Sequence, residues 1–311
     1  MKQFSRQEML NKRIGVLLGG LSAEREISFK TGNAALRALE TLGYDAVAID
    51  VTTQLPQQLN DAGIEIAFVA LHGRFGEDGR VQGLLEMLQI PYTGSGVMTS
   101  SVAIDKVMTK QQFLFHNIPT PKFDFMRKGD SAEDLLQRCH ELPLVIKPSR
   151  EGSTIGITIA KNDDALRSGI ELAEKLDGTV LVEEFIVGSE LTVSVVNGQV
   201  MPIIQIVPKS GFYDYQSKYT TGATEYLLPA PVGYECTNNV QQAALKACQI
   251  LGCRGAARVD FMLRDENFYC IEVNTIPGMT ETSLLPKAAQ AAGIGFPQLV
   301  EMILLDAGLD K

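Results

Sequence analysis

A chain of 311 residues, 45% of them hydrophobic, is long enough for two or three packed domains. Its formal net charge is −9, with acidic and basic residues interspersed, which argues against nucleic acid or an anionic membrane surface as a main partner. The longest uncharged run, 88–104, is broken by Pro91, Gly94 and Gly96 and does not read as a membrane span, and the N-terminal RIGVLLGG is too short for a signal segment. Five cysteines (Cys139, Cys236, Cys248, Cys253, Cys270) include no CxxC, so they read as reduced thiols of a cytoplasmic protein and not as disulfides or a zinc site.

The first hundred residues alternate strand and helix patterns. Residues 13–18 form an apolar strand that ends at Gly19-Gly20. Apolar residues at 27, 34, 35, 38, 39 and 42 then set a helical stripe that stops at Gly43, with Ser22 as the expected N-cap. AVAID (46–50) and IAFVAL (66–71) read as buried strands, VQGLLEMLQ as a helix and PYTG as a short strand. This βαβ series predicts an α/β fold with a parallel sheet. From Thr99 a helix is expected to about His116, punctuated by Pro119 and Pro121. PLVIKP, GITIA, a helix over 163–176 and TVLVEEFI follow. After Gly188 comes hairpin grammar: ELTVSVV, the turn Asn197-Gly198, then QVMPIIQIV. Helices at about 237–251, 283–292 and 297–307 flank two more strands. The expected lobes are 1–104, 105–187 and 188–311.

Those two strands, ARVDFMLR (257–264) and FYCIEVNT (268–275), frame a turn at 265–267. A hairpin centred on residue 266 sets Asp260 opposite Glu272 and Arg258 opposite Asn274, all four on one face because side chains alternate with period two. Ala257, Val259, Phe261, Ile271 and Val273 make the other face apolar, so a one-residue slip would bury charge and expose the apolar side chains. Two opposed carboxylates repel unless something neutralises them. Arg258 can help, and the Asp260–Glu272–Asn274 oxygen set suits Mg²⁺; a solvated polar face is the alternative. Pro277-Gly278 ends the strand, and Gly278 allows its N–H to approach a ligand closely.

Other segments carry candidate chemistry. KPSREGSTIG (147–156) is a small-residue loop suited to folding over phosphates, with Lys147 at the end of its strand, although a plain glycine-rich hairpin would look similar. LLGGLSAERE (17–26) puts Gly-Gly and Glu24 at a helix start, where Glu24 can interact with the helix dipole or hold a substrate ammonium. ALHGRFGEDG (70–79) places His72 at the end of a strand in an open α/β sheet, a usual ligand position. The aperiodic stretch 208–231 holds Tyr213, Tyr215, Tyr219 and Tyr226 and reads as a lid, with Lys218 and Tyr219 as its working residues.

Taken together, LLGGLSAEREIS, ALHGRFGEDG, PYTGSGV, IKPSREGSTIG, FYDYQSKY, ARVDFM and EVNTIPGMTETS resemble the D-alanine–D-alanine ligases of the ATP-grasp superfamily, in family order along the chain. The resemblance implies an ATP-grasp fold with an N-terminal Rossmann-like parallel-sheet domain at 1–104, a small lobe at 105–187 and a large lobe at 188–311 with a lid at 208–228. It implies a cytoplasmic bacterial enzyme that ligates two D-alanines through a D-alanyl phosphate, for peptidoglycan precursors. Asp260, Glu272 and Asn274 then correspond to ligands of Mg²⁺, as two ions, with Mn²⁺ a possible substitute. Arg258 and the Gly278 N–H correspond to an oxyanion-stabilising pair. Lys106, Lys147 and Lys218 correspond to groups around the ATP phosphates, and Glu183 and Glu190 to residues near adenine and ribose. Glu24, with Ser153 and Tyr219 as hydrogen-bonded partners, corresponds to the site of the first D-alanine's ammonium, and His72 lies near that substrate's carboxylate. Ser283 and the Leu284 N–H correspond to the carboxylate site of the second. A homodimer is compatible with the family, with small molecules and neither nucleic acid nor membrane as partners. An ATP-grasp ligase for D-lactate or D-serine, or a non-catalytic nucleotide-binding regulator, are the alternatives.

Overall fold

A computed structural model of the chain describes residues 4–138, 141–152, 154–209, 222–280 and 283–311. The chain opens with α1 (Arg6–Leu10), a short helix closed by a Ser5–Glu8 capping box. Strands β1 (Arg13–Leu18), β2 (Asp45–Asp50) and β3 (Ile66–Val69) form a parallel sheet in the order β2-β1-β3. Five of the six β1 residues are buried, as expected of a strand covered on both faces. α2 (Arg25–Thr41) lies on one face. α3 (Leu55–Asp61) and α4 (Arg80–Met87) lie on the other, where Leu17, Leu59, Val69 and Leu85 share a core. PYTG forms isolated bridges only, Tyr92 pairing with Ala67 and Gly308.

The helix expected from Thr99 to His116 is two helices, α5 (Val97–Ile104) and α6 (Lys106–Phe115). Asp105 breaks it: its backbone is extended and its carboxylate accepts from the Val107 and Met108 N–H groups. The small lobe is an antiparallel sheet in the order β4 (Phe123–Arg127), β7 (Thr179–Glu184), β5 (Leu144–Pro148), β6 (Thr158–Ala160). It carries α7 (Ala132–Arg138) and α8 (Asp163–Leu176), whose Leu166, Ile170 and Ala173 pack with Leu144, Ile146, Val180 and Val182. Leu144, Ile146 and Val182 thus mark the covered face, while Val145, Lys147 and Glu183 point to the other.

The large lobe has β8 (Ser189–Val196), β9 (Gln199–Val200), β10 (Ile204–Pro208), β11 (Thr224–Leu227), β12 (Ala256–Arg264) and β13 (Asn267–Asn274). The order is β11-β10-β8-β12-β13, with β9 pairing β8. Asn197 and Gly198 both have positive φ, as the two-residue turn requires. QVMPIIQIV splits around Pro202, which has no N–H to give a ladder. α9 (Tyr234–Leu251) covers this sheet through Val240, Ala244 and Cys248, with Phe113 of α6 in the same core. The last helices, α10 (Leu284–Ala291) and α11 (Phe296–Leu305), return to the N-terminal sheet: Leu285, Leu299 and Leu304 share a core with Val16, Leu39 and Phe68.

The β12–β13 register pairs Arg258 with Asn274 and Asp260 with Glu272, as the alternation predicts. A bulge after Asp260 then shifts the ladder, so Phe261 meets Cys270 and the turn tightens to Asp265-Glu266. Ile271, expected on the apolar face, falls at this bulge and is only partly buried. Cys236, Cys248, Cys253 and Cys270 are free thiols, and Cys139 lies outside the described residues. Among the described residues no single helix is long and apolar enough to cross a membrane.

Candidate active site

The floor of the site is the polar face of β12–β13. Arg258 and Asp260 are two apart and therefore neighbours on that face. The Arg258 guanidinium donates from Nε to Asp260 Oδ1 at 2.9 Å and from Nη2 to Oδ2 at 2.8 Å. Thr192, opposite Asp260 on β8, donates its hydroxyl to Oδ1 at 2.6 Å. Across the ladder the Glu272 carboxylate lies 3.4 Å from Lys106 Nζ, which also donates to the Glu151 carbonyl at 2.8 Å. Lys106, the first residue of α6, thus ties the glycine-rich loop to β13. Asn274 Oδ1 accepts from the Ile276 N–H at 3.0 Å.

A second wall comes from the parallel-sheet domain. Glu24 is the N-cap residue of α2 but makes no side-chain cap bond there. Ser22, the expected N-cap, instead accepts from the Glu24 N–H at 3.1 Å and donates to the His72 carbonyl at 2.7 Å. The Glu24 carboxylate lies between two loops: a Cβ added at Gly73 would stand 2.6 Å from its Oε2, and one at Gly152 would stand 3.1 Å away. His72 is buried. Its Nε2 is 3.0 Å from Thr31 Oγ1, and its Nδ1 is 3.7 Å from Glu77 Oε1. Thr31 Oγ1 also accepts from the Met279 N–H at 3.3 Å, joining α2 to the turn after β13. In that turn Ser283, the N-cap residue of α10, accepts from the Thr280 N–H at 3.0 Å, and Leu284 opens the helix.

These walls enclose one cleft of about 830 Å³, which brings together Glu24, His72, Lys106, Arg258, Glu272, Asn274, Gly278, Ser283 and Leu284. Gly222, Thr224 and Tyr226, at the far end of the expected lid, border it too. Asp260 sits behind Arg258 and does not line the cleft. Nor do Lys147, Glu183 or Glu190, the last of which lies on β8 opposite Ile206 and Met262. Ser153, Lys218 and Tyr219 lie outside the described residues, as does most of the lid segment.

Three groups in and under the site escaped the sequence reading. Glu151 lines the cleft, and burial, followed by the nearby Asp177, pushes its carboxyl up. Thr192 anchors Asp260. Lys110 is fully buried in α6, with Nζ 2.7 Å from Glu183 Oε2, while Lys147 pairs with Oε1 of the same carboxylate. Burial drives the Glu183 carboxyl up, but the Lys110 and Lys147 ammoniums together outweigh it and hold the carboxyl below its usual range. One sequence signal could have found Lys110. It lies three residues from both Val107 and Phe113, on the apolar stripe of its helix.

The face offers three oxygen side chains, Asp260, Glu272 and Asn274, which is the donor chemistry of a hard divalent cation. Each carboxylate already has a cationic partner, Arg258 for Asp260 and Lys106 for Glu272, with which a bound ion would compete. Two antiparallel sheets with an acidic, arginine-bearing strand pair, closed on a third side by a parallel-sheet domain, define an ATP-grasp ligase. Residues 97–305 match the family description "D-ala D-ala ligase C-terminus", and residues 54–95 match "D-ala D-ala ligase N-terminus". The chain belongs to the D-alanine–D-alanine ligase family. It is 58% identical to the D-alanine–D-alanine ligase of Syntrophotalea carbinolica over 98% of this chain and 99% of that one. It is 46% identical to the corresponding ligase of Geotalea uraniireducens, covering 97% of each chain. The crystal structure of the Bacillus anthracis ligase complexed with ATP superposes with a TM-score of 0.84 at 36% identity, covering 95% of this chain and 97% of the other.

Proposed function

We propose that this chain joins two D-alanines to give D-alanyl-D-alanine, converting ATP to ADP and phosphate, for peptidoglycan precursor synthesis in the cytoplasm. The observation that carries this reading is the convergence of Glu24, Arg258 and Ser283 on one cleft, since they come from three separate segments of the chain. Near-full-length identity to curated ligases supports the same reaction.

A carboxylate is a poor acyl donor. In the proposed reaction the first D-alanine's carboxylate oxygen attacks the γ-phosphorus, ADP leaves, and an acyl phosphate forms. The second D-alanine's neutral amine attacks its carbonyl carbon, and inorganic phosphate leaves. Glu24 binds the ammonium of the first substrate, beside Gly73 and Gly152, and His72 orients its carboxylate. Ser283 and the Leu284 N–H, at the start of α10, receive the carboxylate of the second, where the helix terminus favours an anion. Arg258 and the Gly278 N–H stabilise the tetrahedral oxyanion. Lys106 would meet the phosphates from the cleft wall, joined by Lys218 of the lid segment. Lys147, Glu183 and Glu190 do not line the cleft, and their phosphate, adenine and ribose roles rest on the family resemblance. Asp260, Glu272 and Asn274 would hold Mg²⁺, which supplies charge neutralisation for phosphoryl transfer. Ser153 and Tyr219 would hydrogen-bond with Glu24 at the first substrate's site, where exclusion of water protects the acyl phosphate from hydrolysis.

The test is release of ADP and phosphate from ATP with D-alanine, L-alanine or no amino acid. Turnover is expected with D-alanine alone. Equal turnover with L-alanine, or none with either enantiomer, would overturn the assignment.

A further inference from the structure

Lys110, Glu183 and Lys147 form a buried group in which two ammoniums share one carboxylate. Lys110 is 0% exposed, Glu183 3% and Lys147 4%. Among the described residues, Glu183 is the one carboxylate within ion-pair distance of either lysine. The group has a defined place in the fold. Glu183 of β7 and Lys147 of β5 project from the small-lobe face opposite α8. Phe123, opposite Glu183 on β4, turns its ring to Lys110 Nζ at 5.6 Å from the ring centre. Lys110 reaches them from α6, whose Phe113 belongs to the large-lobe core. Its Nζ also donates to Thr120 Oγ1 at 2.6 Å, and that hydroxyl donates to the Cys270 carbonyl of β13 at 2.8 Å. A chain of polar contacts therefore runs from the small-lobe sheet to the large-lobe sheet, beneath the seam between them.

Buried ions are retained where their charges are matched, and an unmatched buried charge is costly. Here three charges sum to one surplus cation. The 2.7 Å contact with Glu183 and the hydrogen bond that Lys110 donates to Thr120 favour its charged form against the cost of burial. Lys110 is wholly enclosed and cannot meet a ligand. Lys147, the next-to-last residue of β5 and 4% exposed, is the member nearest the glycine-rich loop.

We propose that Lys110 is a positioning residue for nucleotide binding: by engaging one oxygen of Glu183 it leaves the triad with a surplus positive charge, which Lys147 presents to a polyphosphate. The proposal rests on the reading of the protein as an ATP-dependent ligase. It assigns Glu183 a role in setting that charge, and not only a place beside the nucleotide. The triad's charge count, more than its shape, then decides affinity. Removing Lys110 leaves Glu183 and Lys147 as a neutral pair, and removing the Glu183 charge as well restores one net positive charge.

The experiment measures ADP binding to the full chain by calorimetry in the presence of Mg²⁺, with a melting curve for each variant. Lys110→Met is expected to fold and to bind ADP about tenfold more weakly, as for loss of one charge-assisted contact, with KM for D-alanine unchanged. Lys110→Met/Glu183→Gln is expected to bind ADP at least about threefold more tightly than Lys110→Met, although it also loses the Glu183 contact with the nucleotide, and a purely structural role would not produce that gain. A folded Lys110→Met protein that binds ADP as the parent does overturns the proposal. So does a double variant no tighter than Lys110→Met. If Lys110→Met fails to fold, Lys110→Gln keeps a hydrogen-bonding group without the charge and carries the same expectations. A parent protein that binds no ADP would overturn the ligase reading itself.

Discussion

Asp260 and Glu272 face each other across the β12–β13 ladder, yet neither carboxylate is left to repel the other. Arg258 holds Asp260 through two nitrogens, and Lys106 stands 3.4 Å from Glu272. Two cations on two elements thus occupy the positions that a divalent ion would contest. Because Arg258 lines the cleft and Asp260 sits behind it, ion binding at Asp260 would bear on the placement of the proposed oxyanion donor.

Glu272→Gln is expected to raise the Mg²⁺ concentration for half-maximal activity by about tenfold or more, with a smaller fall in melting temperature than Asp260→Asn, because the Glu272 side chain is 30% exposed although that of its partner Lys106 is 9% exposed. Asp260→Asn should raise it similarly but also lower stability by about 1.5–3 kcal/mol, since it removes the anion that Arg258 and Thr192 both bond. Magnesium titrations beside melting curves check this. An unchanged midpoint in both variants would remove the ion from this face.

Arg258→Ala is expected to lower kcat by about 10²–10³, as for loss of one oxyanion donor, with a much smaller change in KM for ATP. It also strands Asp260, so a lowered melting temperature should accompany it. Steady-state kinetics decide the matter. A normal kcat with a lowered melting temperature would reduce Arg258 to a structural partner of Asp260.

Gly73 has φ of +68°, and an added Cβ would meet the Glu24 carboxylate. Gly43 also has positive φ, but nothing lies within 4 Å of the place its Cβ would take. Both alanine variants should lose about 1 kcal/mol of stability from backbone strain. Only Gly73→Ala should raise KM for D-alanine, by about tenfold, if displacing Glu24 weakens one charged contact. Equal KM values in the two variants would separate Glu24 from substrate binding.

Burial, and then Asp177, raise the Glu151 acid in the folded protein. The folded state therefore binds this proton more tightly than the unfolded chain does. The associated stability is present at acid pH and is lost as pH rises through the folded group's titration. Glu151→Gln has no such loss. Its melting temperature relative to the parent should climb between about pH 4 and pH 7, the range above the ordinary carboxyl value. A constant difference across that range would show that Glu151 titrates alike in both states.

Much of the site could be read from local pattern. Alternation along 257–264 and 268–275 makes one face apolar and the other polar, so the parity that opposes Asp260 to Glu272 follows from burial alone. The helix over 163–176 has its whole apolar stripe within its own length, and the described helix spans the same residues. Local pattern was weaker where a single residue competes with it. Asp105 turns a continuous helical stripe into two helices because its side chain caps the second one. Pro202 divides what reads as one strand. The bulge at Asp260 moves Ile271 off the apolar face by one backbone residue, which no two-residue period encodes.

By itself, then, the sequence determined which residues belong to which face of each element, because that depends only on spacing along the chain. It did not determine which faces meet. The apolar stripes of α10 and α11 would satisfy any core, and only the tertiary structure brings them back more than 200 residues to the sheet of β1, which places Ser283 in the same cleft as Glu24. Lys110 is the sharper case. A lysine on a helix reads as a solvated charge, and it becomes a buried one because β7 brings Glu183 to its ammonium from 73 residues away in the chain. Desolvation and ion pairing depend on distance in space, and the packing of the two lobes sets that distance.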